Sequence, residues 1–294
     1  MPRSTPSPGR RRIWCRRCAL HSDGEGSRPG ALPPQPPDLS KRGLGTTVPS
    51  GVEGQSPSPC LRLYGRKRGH PLRPRQRLLL DIALPRLRLT ADALAAFSAL
   101  WLEVGFGGGE HARALAADHP DIGLIACEVF ENGICSLLAA LVGEGDPATA
   151  ALPANLRIWD ADARRLLLLL PDACLDALFL MFPDPWPKAR HAKRRFVHPE
   201  TVALLARVMR PGGEWRIASD DPTYQAWVDT VMGEAEAFRL AERSAVRPAH
   251  WPPTRYEAKA LREGRQPLYW RFLRNPLPEQ GVACRTWRSG SGPC

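Results

Sequence analysis

The chain has 294 residues, 43% of them hydrophobic, and is long enough to bury one sizeable core. No run of about 18 apolar residues occurs and no apolar stretch follows the arginine-rich N-terminus, so we expect neither a transmembrane helix nor a secretory signal. The net charge of +11 is concentrated, because residues 1–80 hold 16 Lys and Arg against four Asp and Glu. A basic N-terminal quarter favours a polyanionic partner, either nucleic acid or an anionic membrane.

The eight cysteines are scattered, and several, such as Cys127, Cys135 and Cys174, have apolar neighbours. This usage is typical of free thiols in a reducing cytosol, so we expect a cytoplasmic protein. Cys15 and Cys18 form a lone CxxC pair without a second pair at a ligand-like spacing. We therefore predict no obligate metal.

The two ends of the chain differ in composition from its middle. Residues 1–60 are rich in Pro, Gly, Ser and Arg without apolar periodicity, which predicts a disordered extension. From residue 61 a basic arm leads into a short amphipathic helix that should end near Pro85. We predict one folded domain over 61–275, followed by a flexible tail over 276–294.

Between these limits, short apolar runs alternate with helical patterns. Strands are predicted at 99–104, 122–128, 156–162, 175–182 and 214–219, and helices at 110–120, 132–143, 199–209 and 223–232. A Pro-Gly-Gly turn is predicted at 211–213, and Asp221 before Pro222 has the form of a helix N-cap. Residues 237–243 and 267–274 alternate with period two and are predicted to form an antiparallel hairpin at the sheet edge. Repeated βα units predict an α/β fold, with a mostly parallel sheet and helices on both faces.

The first predicted strand runs into a glycine-rich loop, LEVGFGGGEHA, at 102–112. Gly105, Gly107 and Gly109 alternate there, which is more than a strand-ending turn needs and lets the backbone approach a ligand. A dinucleotide site would require G-x-G-x-x-G and an unobstructed helix N-terminus for the pyrophosphate. Because Glu103 and Glu110 would repel a pyrophosphate, a dehydrogenase is the least favoured class.

Carboxylates recur where successive strands end. Glu103 precedes the glycine loop, Glu128 ends the second strand, and Asp162 follows the third. Each alone is typical of a helix cap or a solvated surface. Together they match an adenosine carrying an amino acid and a positive sulfur: Glu128 for the ribose hydroxyls, Asp162 for the adenine amine and Glu103 for a cationic group. We therefore expect S-adenosylmethionine as the cofactor.

The fourth strand emerges into FPDPWPK, residues 182–188. Pro183 and Pro185 forbid both a continuing strand and a starting helix, so Asp184 should stand on a stiff corner. A turn in which the aspartate only forms a local hydrogen bond is the alternative interpretation. The basic run KARHAKRRF follows directly, and is either a solvated surface or a grip for phosphates.

LEVGFGGGEH, the strand-end Glu128, LFLMFPDPWPKARHAKRRF, the Pro-Gly-Gly turn before RIASDD and TRYEAKALREG together resemble the bacterial tRNA (guanine-N7)-methyltransferase family. The resemblance covers about residues 61–275, and FPDPWxKxxHxKRR is its most specific part. It implies a seven-stranded Rossmann-like fold, S-adenosylmethionine as cofactor, and a guanine in the tRNA variable loop as target. It also implies substrate contacts from Lys188, Asp220, Thr254, Arg255, Tyr256 and Glu257.

Within this interpretation Asp184 is the predicted catalytic residue, because a fixed carboxylate would favour the positive charge that develops on the purine. Thr254 and Glu257 also have the spacing of a helix capping box. The basic arm over 65–77 is predicted to lie along the tRNA backbone. We expect a monomer or weak homodimer without membrane attachment.

Two other functions remain open from the sequence. An exocyclic-amine methyltransferase has a similar corner of an acid, prolines and an aromatic residue. An RNA-binding module that has lost catalysis would keep affinity for tRNA without binding the cofactor. The intact Gly105, Gly107, Glu103 and Glu128 argue against the second alternative.

Overall fold

The structure is a computed structural model that describes residues 65–90, 93 and 97–276. The predicted extension over 1–60 and, apart from Pro276, the predicted tail lie outside the described residues. None of the helices in the described ranges is long and apolar enough to cross a membrane. The same ranges contain no group of His, Cys, Asp and Glu side chains able to hold a metal ion.

Seven strands form one sheet in the order β3-β2-β1-β4-β5-β7-β6. The strands are β1 Leu100–Val104, β2 Gly123–Cys127, β3 Leu156–Trp159, β4 Leu175–Met181, β5 Met209–Ser219, β6 Phe238–Ser244 and β7 Leu268–Arg274. The first five pair in parallel, whereas β7 runs antiparallel to β5 and β6 antiparallel to β7. The predicted Rossmann-like, mostly parallel sheet with an antiparallel edge is therefore confirmed.

Helices connect most of these strands. They are α1 Pro74–Leu78, α2 Leu84–Leu87, α3 Glu110–Asp118, α4 Glu131–Val142, α5 Ala163–Leu169, α6 Pro199–Val208, α7 Pro222–Gly233 and α8 Arg255–Arg262. The predicted cap of α7 is present, because the Asp221 carboxylate accepts from the Tyr224 N–H at 2.9 Å. The edge pair is not a tight hairpin, since α8 lies between β6 and β7 in the chain.

The sheet separates two buried apolar clusters, as period-two alternation requires. Along β4, Leu178 and Leu180 belong to one cluster, whereas Phe179 and Met181 belong to the other. Every residue of β2 is buried, in keeping with its continuous apolar sequence. The helices therefore cover both faces, and the open edge at the carboxyl ends of the parallel strands is left for a site.

Strand order reverses between β1 and β4. The chain moves outward from β1 through β2 to β3, then returns to place β4 on the other side of β1. Loops that leave two neighbouring strands in opposite directions leave a crevice between them, which is where ligands bind in such sheets. The glycine loop follows β1 and the Asp184 corner follows β4, so both open onto this crevice.

Two further local features differ from the sequence-based expectation. Helix α5 was not predicted, because LLLLL at 166–170 shows no polar alternation. The Pro-Gly-Gly segment lies within β5, where pairing with β4 shifts register between Leu175 and Ala177 and Gly212 has a φ of 81°. Glycine therefore supplies a bulge there in place of a strand-free turn.

The N-terminal helix also extends past its predicted end at Pro85. Helix α1 passes through a π-helical turn at Leu79–Ala83 into α2, which ends at Leu87. Proline has no N–H to donate to the preceding turn, and a widened turn is a common way for a helix to accommodate it.

Asn155 ties the start of β3 to the end of α3. It is buried, and its amide nitrogen lies 3.0 Å from the carbonyl oxygens of Ala116 and His119 and 3.1 Å from that of Ile122. The bond to the Ala116 carbonyl is fully buried, and leaving that acceptor without a donor should cost about 1–3 kcal/mol. We therefore expect Asn155→Ala to lower the free energy of unfolding by that amount in urea denaturation.

Asn275→Ala is the matched control, because the Asn275 amide makes one exposed bond to the Glu236 carbonyl. Its effect should stay within about 0.5 kcal/mol. Equal losses in the two variants would contradict the role assigned to Asn155.

Candidate active site

A cavity of about 500 Å³ opens at the carboxyl ends of β1, β2 and β4. It brings together six of the residues that sequence predicted for the site: Gly105, Gly107, Glu128, Asp162, Asp184 and Tyr256. The other six, Glu103, Lys188, Asp220, Thr254, Arg255 and Glu257, are not part of its lining. The structure thus gathers the predicted cofactor residues of three strand ends around the predicted catalytic corner.

The glycine loop forms one wall of the cavity with main-chain atoms. Gly105 and Gly107 have φ values of 73° and 57°, a region that other residues rarely adopt. A Cβ atom on Gly107 would lie 3.0 Å from the Tyr256 ring, so a side chain there would displace that tyrosine. At Gly105 no atom lies within 4 Å of the Cβ position, and the main chain is open to an incoming ligand.

Glu128 is held firmly at the end of β2. Its Oε2 accepts from Gly107 N–H at 2.8 Å, and its Oε1 accepts from the N–H groups of Val129 and Phe130 at 2.7 and 3.0 Å. Burial raises the pKa of this carboxyl above its usual value, the three N–H bonds oppose the rise, and the charge of Asp184 adds to it. A carboxylate has about four acceptor positions, so one remains, on Oε2, for a ligand hydroxyl.

Asp162 has a structural role and an unused oxygen. Its Oδ1 accepts from the Arg164 N–H at 2.8 Å and caps α5, which is the helix-cap alternative that sequence left open. Its buried Oδ2 has no hydrogen-bond partner, although the Arg164 guanidinium lies 3.6 Å away. A buried acceptor on the cavity wall suits an amine donor such as that of adenine.

Glu103 lies behind the glycine loop. It is 2% exposed, and its Oε2 lies 3.2 Å from Nδ1 of the buried His111 on α3. The carboxylate therefore contacts the helix that follows the loop, and the cofactor contact predicted for it stays a prediction.

Asp184 stands between two strained aromatic residues. Phe182 and Trp186 have φ values of 52° and 43°, and each directly precedes a proline. Bulky residues in this region cost about 1–3 kcal/mol each, and such strain concentrates at functional sites. Asp184 is exposed, and within the described part of the chain its carboxylate accepts no hydrogen bond. The alternative of a turn built on the aspartate side chain lacks the bond it requires.

The basic run after the corner divides into two kinds of residue. Lys188 and Arg190 are exposed and flank the start of a 3₁₀ helix at Ala189–Arg194. Arg194 stacks on the Trp186 ring, with 4.7 Å between guanidinium carbon and ring centroid. Arg195 is 4% exposed and donates to the carbonyls of Pro185 and Trp186. Arg195 therefore belongs to the interior, and the sequence-based phosphate grip does not extend to it.

The remaining predicted substrate residues cluster around α8. Thr254 caps this helix by accepting from the Glu257 N–H at 3.1 Å. The Glu257 carboxylate does not complete the box, since it accepts instead from Arg247 and Tyr269. Asp220 accepts from Arg265 Nε at 2.7 Å.

Arg255 and Tyr256 lie over the glycine loop from the first turn of α8. Arg255 is 3.6 Å from Glu110 Oε1, and a Cβ on Gly108 would lie 2.9 Å from its guanidinium. Loop and helix are thus in contact although they are far apart in sequence.

Sequence reasoning did not identify Arg164 and the pair Gly65 and Arg66 as cavity-lining residues. Arg164 lies in the unpredicted helix α5, so no pattern pointed to it. The basic arm docks on the start of α4, where Lys67 O accepts from Glu131 N–H at 3.0 Å. Its proximity to the glycine loop follows only from this tertiary contact.

The residues present fit S-adenosylmethionine. The main chain at Gly105 is open, Asp162 Oδ2 lacks a donor, and Glu128 Oε2 keeps one free acceptor position. Cavities that enclose ligands of this size usually measure about 300–1,000 Å³. The positive charge of S-adenosylmethionine suits a wall that carries the Glu128 and Asp162 carboxylates.

The chain matches known proteins over the folded domain. Residues 98–269 match the family model described as "Putative methyltransferase". The tRNA (guanine-N(7)-)-methyltransferase of Granulibacter bethesdensis is 69% identical over 215 residues, covering 72% of this chain and 95% of the relative. The enzyme of the same name from Paramagnetospirillum magneticum is 48% identical over 228 residues, covering 72% and 92%.

Among solved structures, the 16S rRNA methyltransferase KamB superposes with a TM-score of 0.48 at 20% identity, over 63% of this chain and 92% of that one. The family rests on the sequence relatives, whose nearly complete length this chain spans. The chain belongs to the bacterial tRNA (guanine-N7)-methyltransferase family of class I methyltransferases.

Proposed function

We propose that the cavity between the glycine loop and the Asp184 corner is the place where this enzyme transfers a methyl group from S-adenosylmethionine to N7 of a guanine. The enzyme is a tRNA (guanine-N7)-methyltransferase, and its cofactor is S-adenosylmethionine. The guanine lies in the variable loop of the tRNA. The single observation that carries the site assignment is the exposed Asp184 carboxylate, unbonded within the described residues, in the lining of the same cavity as the loop glycines.

S-Adenosylmethionine supplies, when bound, a methyl group already activated by a positive sulfur. Guanine N7 is a bare acceptor on the base edge, so no side chain has to remove a proton from it before attack. The work of the chain is therefore to position two ligands and to stabilise charge. Glu128 and Asp162 accept from the nucleoside part of the cofactor, and the open main chain at Gly105 and Gly107 lets it approach closely.

Asp184 acts on the base. Its carboxylate accepts from guanine N1–H and the amino group, and it stabilises the positive charge that appears on the purine as the methyl group arrives. Pro185 and Trp186 form a wall beside the base. Because Arg194 covers one face of the Trp186 ring, the base stacks on the other face or on the guanidinium itself.

The predicted substrate residues contact the tRNA around this cavity. Lys188 lies four residues beyond Asp184 and is exposed, so its ammonium can pair with a phosphate next to the reacting nucleotide. Arg255 and Tyr256 lie in the first turn of α8, and because Thr254 caps this helix, their backbone is held in a fixed position. Asp220 and Glu257 hold neighbouring arginine and tyrosine side chains in place.

The enzyme acts in the cytoplasm as a monomer or weak homodimer. Cys127, Cys135 and Cys174 are buried free thiols, which supports a reducing compartment. Burial raises the pKa of Cys135 to about 11 and that of Cys174 to about 12, so neither is a reactive thiolate at neutral pH.

The test of the function is the identity of the methylated nucleoside in tRNA incubated with the protein and labelled S-adenosylmethionine. We expect label in 7-methylguanosine, and cleavage of the variable loop by borohydride and aniline. Label in an exocyclic methylamine would indicate the alternative methyltransferase class. Binding of tRNA without any cofactor binding would indicate the non-catalytic module.

Asp184→Ala should lower kcat by about 100-fold, the usual cost of removing one group that stabilises transition-state charge. The dissociation constant of S-adenosylmethionine should change little, because the cofactor contacts assigned above come from other residues. Radiolabel transfer and calorimetry measure the two quantities. Asp118→Ala, an exposed carboxylate at the end of α3, is the control and should behave as wild type. Near-normal turnover by Asp184→Ala would remove Asp184 from the mechanism.

Glu128→Gln should weaken S-adenosylmethionine binding about tenfold at pH 8, since hydrogen bonds to charged groups contribute about 1.5–3 kcal/mol. Because the pKa of Glu128 is raised, the wild type should lose cofactor affinity as pH falls through a value above that of an ordinary glutamate. Glutamine does not titrate, so the cofactor affinity of the variant should lack this part of the pH dependence. Calorimetry from pH 8 to pH 5 measures the dissociation constant of S-adenosylmethionine for both proteins. The ratio of the two dissociation constants cancels the titration of the cofactor itself. Parallel pH profiles would contradict the assignment.

A further inference from the structure

The Asp184 corner, residues 182–187, has few backbone hydrogen bonds of its own. Pro183, Pro185 and Pro187 carry no N–H, and the Phe182 N–H at its start donates to the Ala218 carbonyl at 2.8 Å. Two residues of the corner have left-handed φ values, so the conformation is not one that the chain adopts by local preference. Something outside the corner must hold it.

Arg195 holds the corner in place from the protein interior. Its Nε lies 3.1 Å from the Pro185 carbonyl oxygen and its Nη2 lies 3.0 Å from the Trp186 carbonyl oxygen. Its guanidinium carbon stands 4.7 Å from the centroid of the Trp227 ring. Two donors on one planar group thereby fix the peptide planes of the two residues that directly follow Asp184.

This is a costly arrangement. Arg195 is 4% exposed, and within the described residues its partners are carbonyl oxygens and an indole ring, with no carboxylate in ion-pair contact. Burying a charge without an opposite charge is unfavourable, and an apolar side chain of similar volume often gives an equally stable fold. Stability alone is therefore a weak reason for an arginine at this position.

A second buried arginine, Arg164, links the main chain of Arg195 to Asp162. Arg164 is 5% exposed, and its Nη2 lies 3.3 Å and 3.2 Å from the carbonyl oxygens of Arg194 and Arg195. The same guanidinium stands 3.6 Å from Asp162 Oδ2. Arg164 thus holds the main chain of Arg195, and Arg195 holds the corner.

We propose that Arg195 is a positioning residue that fixes the direction of the Asp184 carboxylate through the carbonyl groups of Pro185 and Trp186. The inference rests on the proposed role of Asp184 and deepens it. Without the two hydrogen bonds the strained corner relaxes, and the carboxylate leaves the place where charge develops on the purine. A displacement of about 1 Å can cost about 100-fold in rate.

The test compares Arg195→Met, which keeps volume without donors, with Arg195→Lys, which keeps charge without the planar fork. We expect Arg195→Met to lower kcat about 10- to 100-fold while KM for tRNA and the dissociation constant of S-adenosylmethionine stay within about threefold. Arg195→Lys should fall between Arg195→Met and wild type, because one ammonium cannot hold two carbonyls in a fixed geometry. Arg195→Lys also keeps the test available should Arg195→Met fold poorly.

Arg274→Met is the matched control. Arg274 is 8% exposed and likewise donates to carbonyl oxygens, those of Ala206, Ala237 and Asn275. It lies at the end of β7, which runs antiparallel to β5, so it is at the amino ends of the parallel strands, whereas the cavity is at their carboxyl ends. We expect Arg274→Met to lose stability, measured by thermal unfolding, and to keep wild-type kcat at a temperature where it is folded.

The double variant Asp184→Ala/Arg195→Met separates this inference from the proposed function. If Arg195 acts through Asp184, removing Arg195 should cause no further loss of kcat in the Asp184→Ala background. Full activity in Asp184→Ala would overturn the proposed function itself. A low kcat in Asp184→Ala with a normal kcat in Arg195→Met, or additive losses in the double variant, would overturn only the positioning role.

Discussion

The parallel pairing of β1 with β4 is the interaction on which the site depends. Trp101, Leu102 and Glu103 lie opposite Ala177, Leu178 and Phe179 in that pairing. Two strands that are distant in the chain therefore end side by side, and the glycine loop and the Asp184 corner open onto one cavity. Each segment alone would be a strand end with unusual composition; together they line one cavity, and the proposed function assigns the glycine loop to the cofactor and the corner to the base.

The two walls are built on different principles. The glycine wall works by the absence of Cβ atoms, because Gly105 leaves its main chain open and Gly107 leaves room for the Tyr256 ring. The corner works by constraint, because prolines, left-handed aromatic residues and an interior arginine hold one carboxylate in an exposed position. Conformational strain of this kind persists only where the surrounding structure enforces it. Arg195, which packs on the Trp227 ring, holds the corner from the interior, and Arg164, which also lines the cavity, holds the main chain of Arg195.

Much of the fold could be predicted from sequence, because apolar periodicity and helix caps are local signals. The strands β1 to β4, the Asp221 cap and the antiparallel edge pair all follow from residues close together in the chain. Helix α5 could not, since its leucine run has no polar face to show a helical period. The Pro-Gly-Gly segment was predicted as a turn because sequence does not show that β4 pairs on both sides of a bulge.

The candidate site was predictable to a different degree. Glycines and strand-end acids mark the wall that we assign to the cofactor, because their positions follow from the rule that ligands bind at the carboxyl ends of parallel strands. The inward direction of Arg195 was not predictable, since it belongs to a run of basic residues that resembles an exposed surface. The contact between Glu103 and His111 and the approach of Tyr256 to Gly107 likewise depend on tertiary packing that no local pattern encodes.

The central claim is that Asp184 holds the guanine next to the S-adenosylmethionine that binds at the glycine loop. Its most direct test is an experimental structure of the protein with S-adenosylhomocysteine and a tRNA or a guanine nucleotide bound. The account predicts the Asp184 carboxylate within hydrogen-bond distance, about 3 Å, of the guanine N1–H or amino group, with N7 facing the sulfur. A guanine bound elsewhere, or an Asp184 carboxylate turned away from the base, would contradict it.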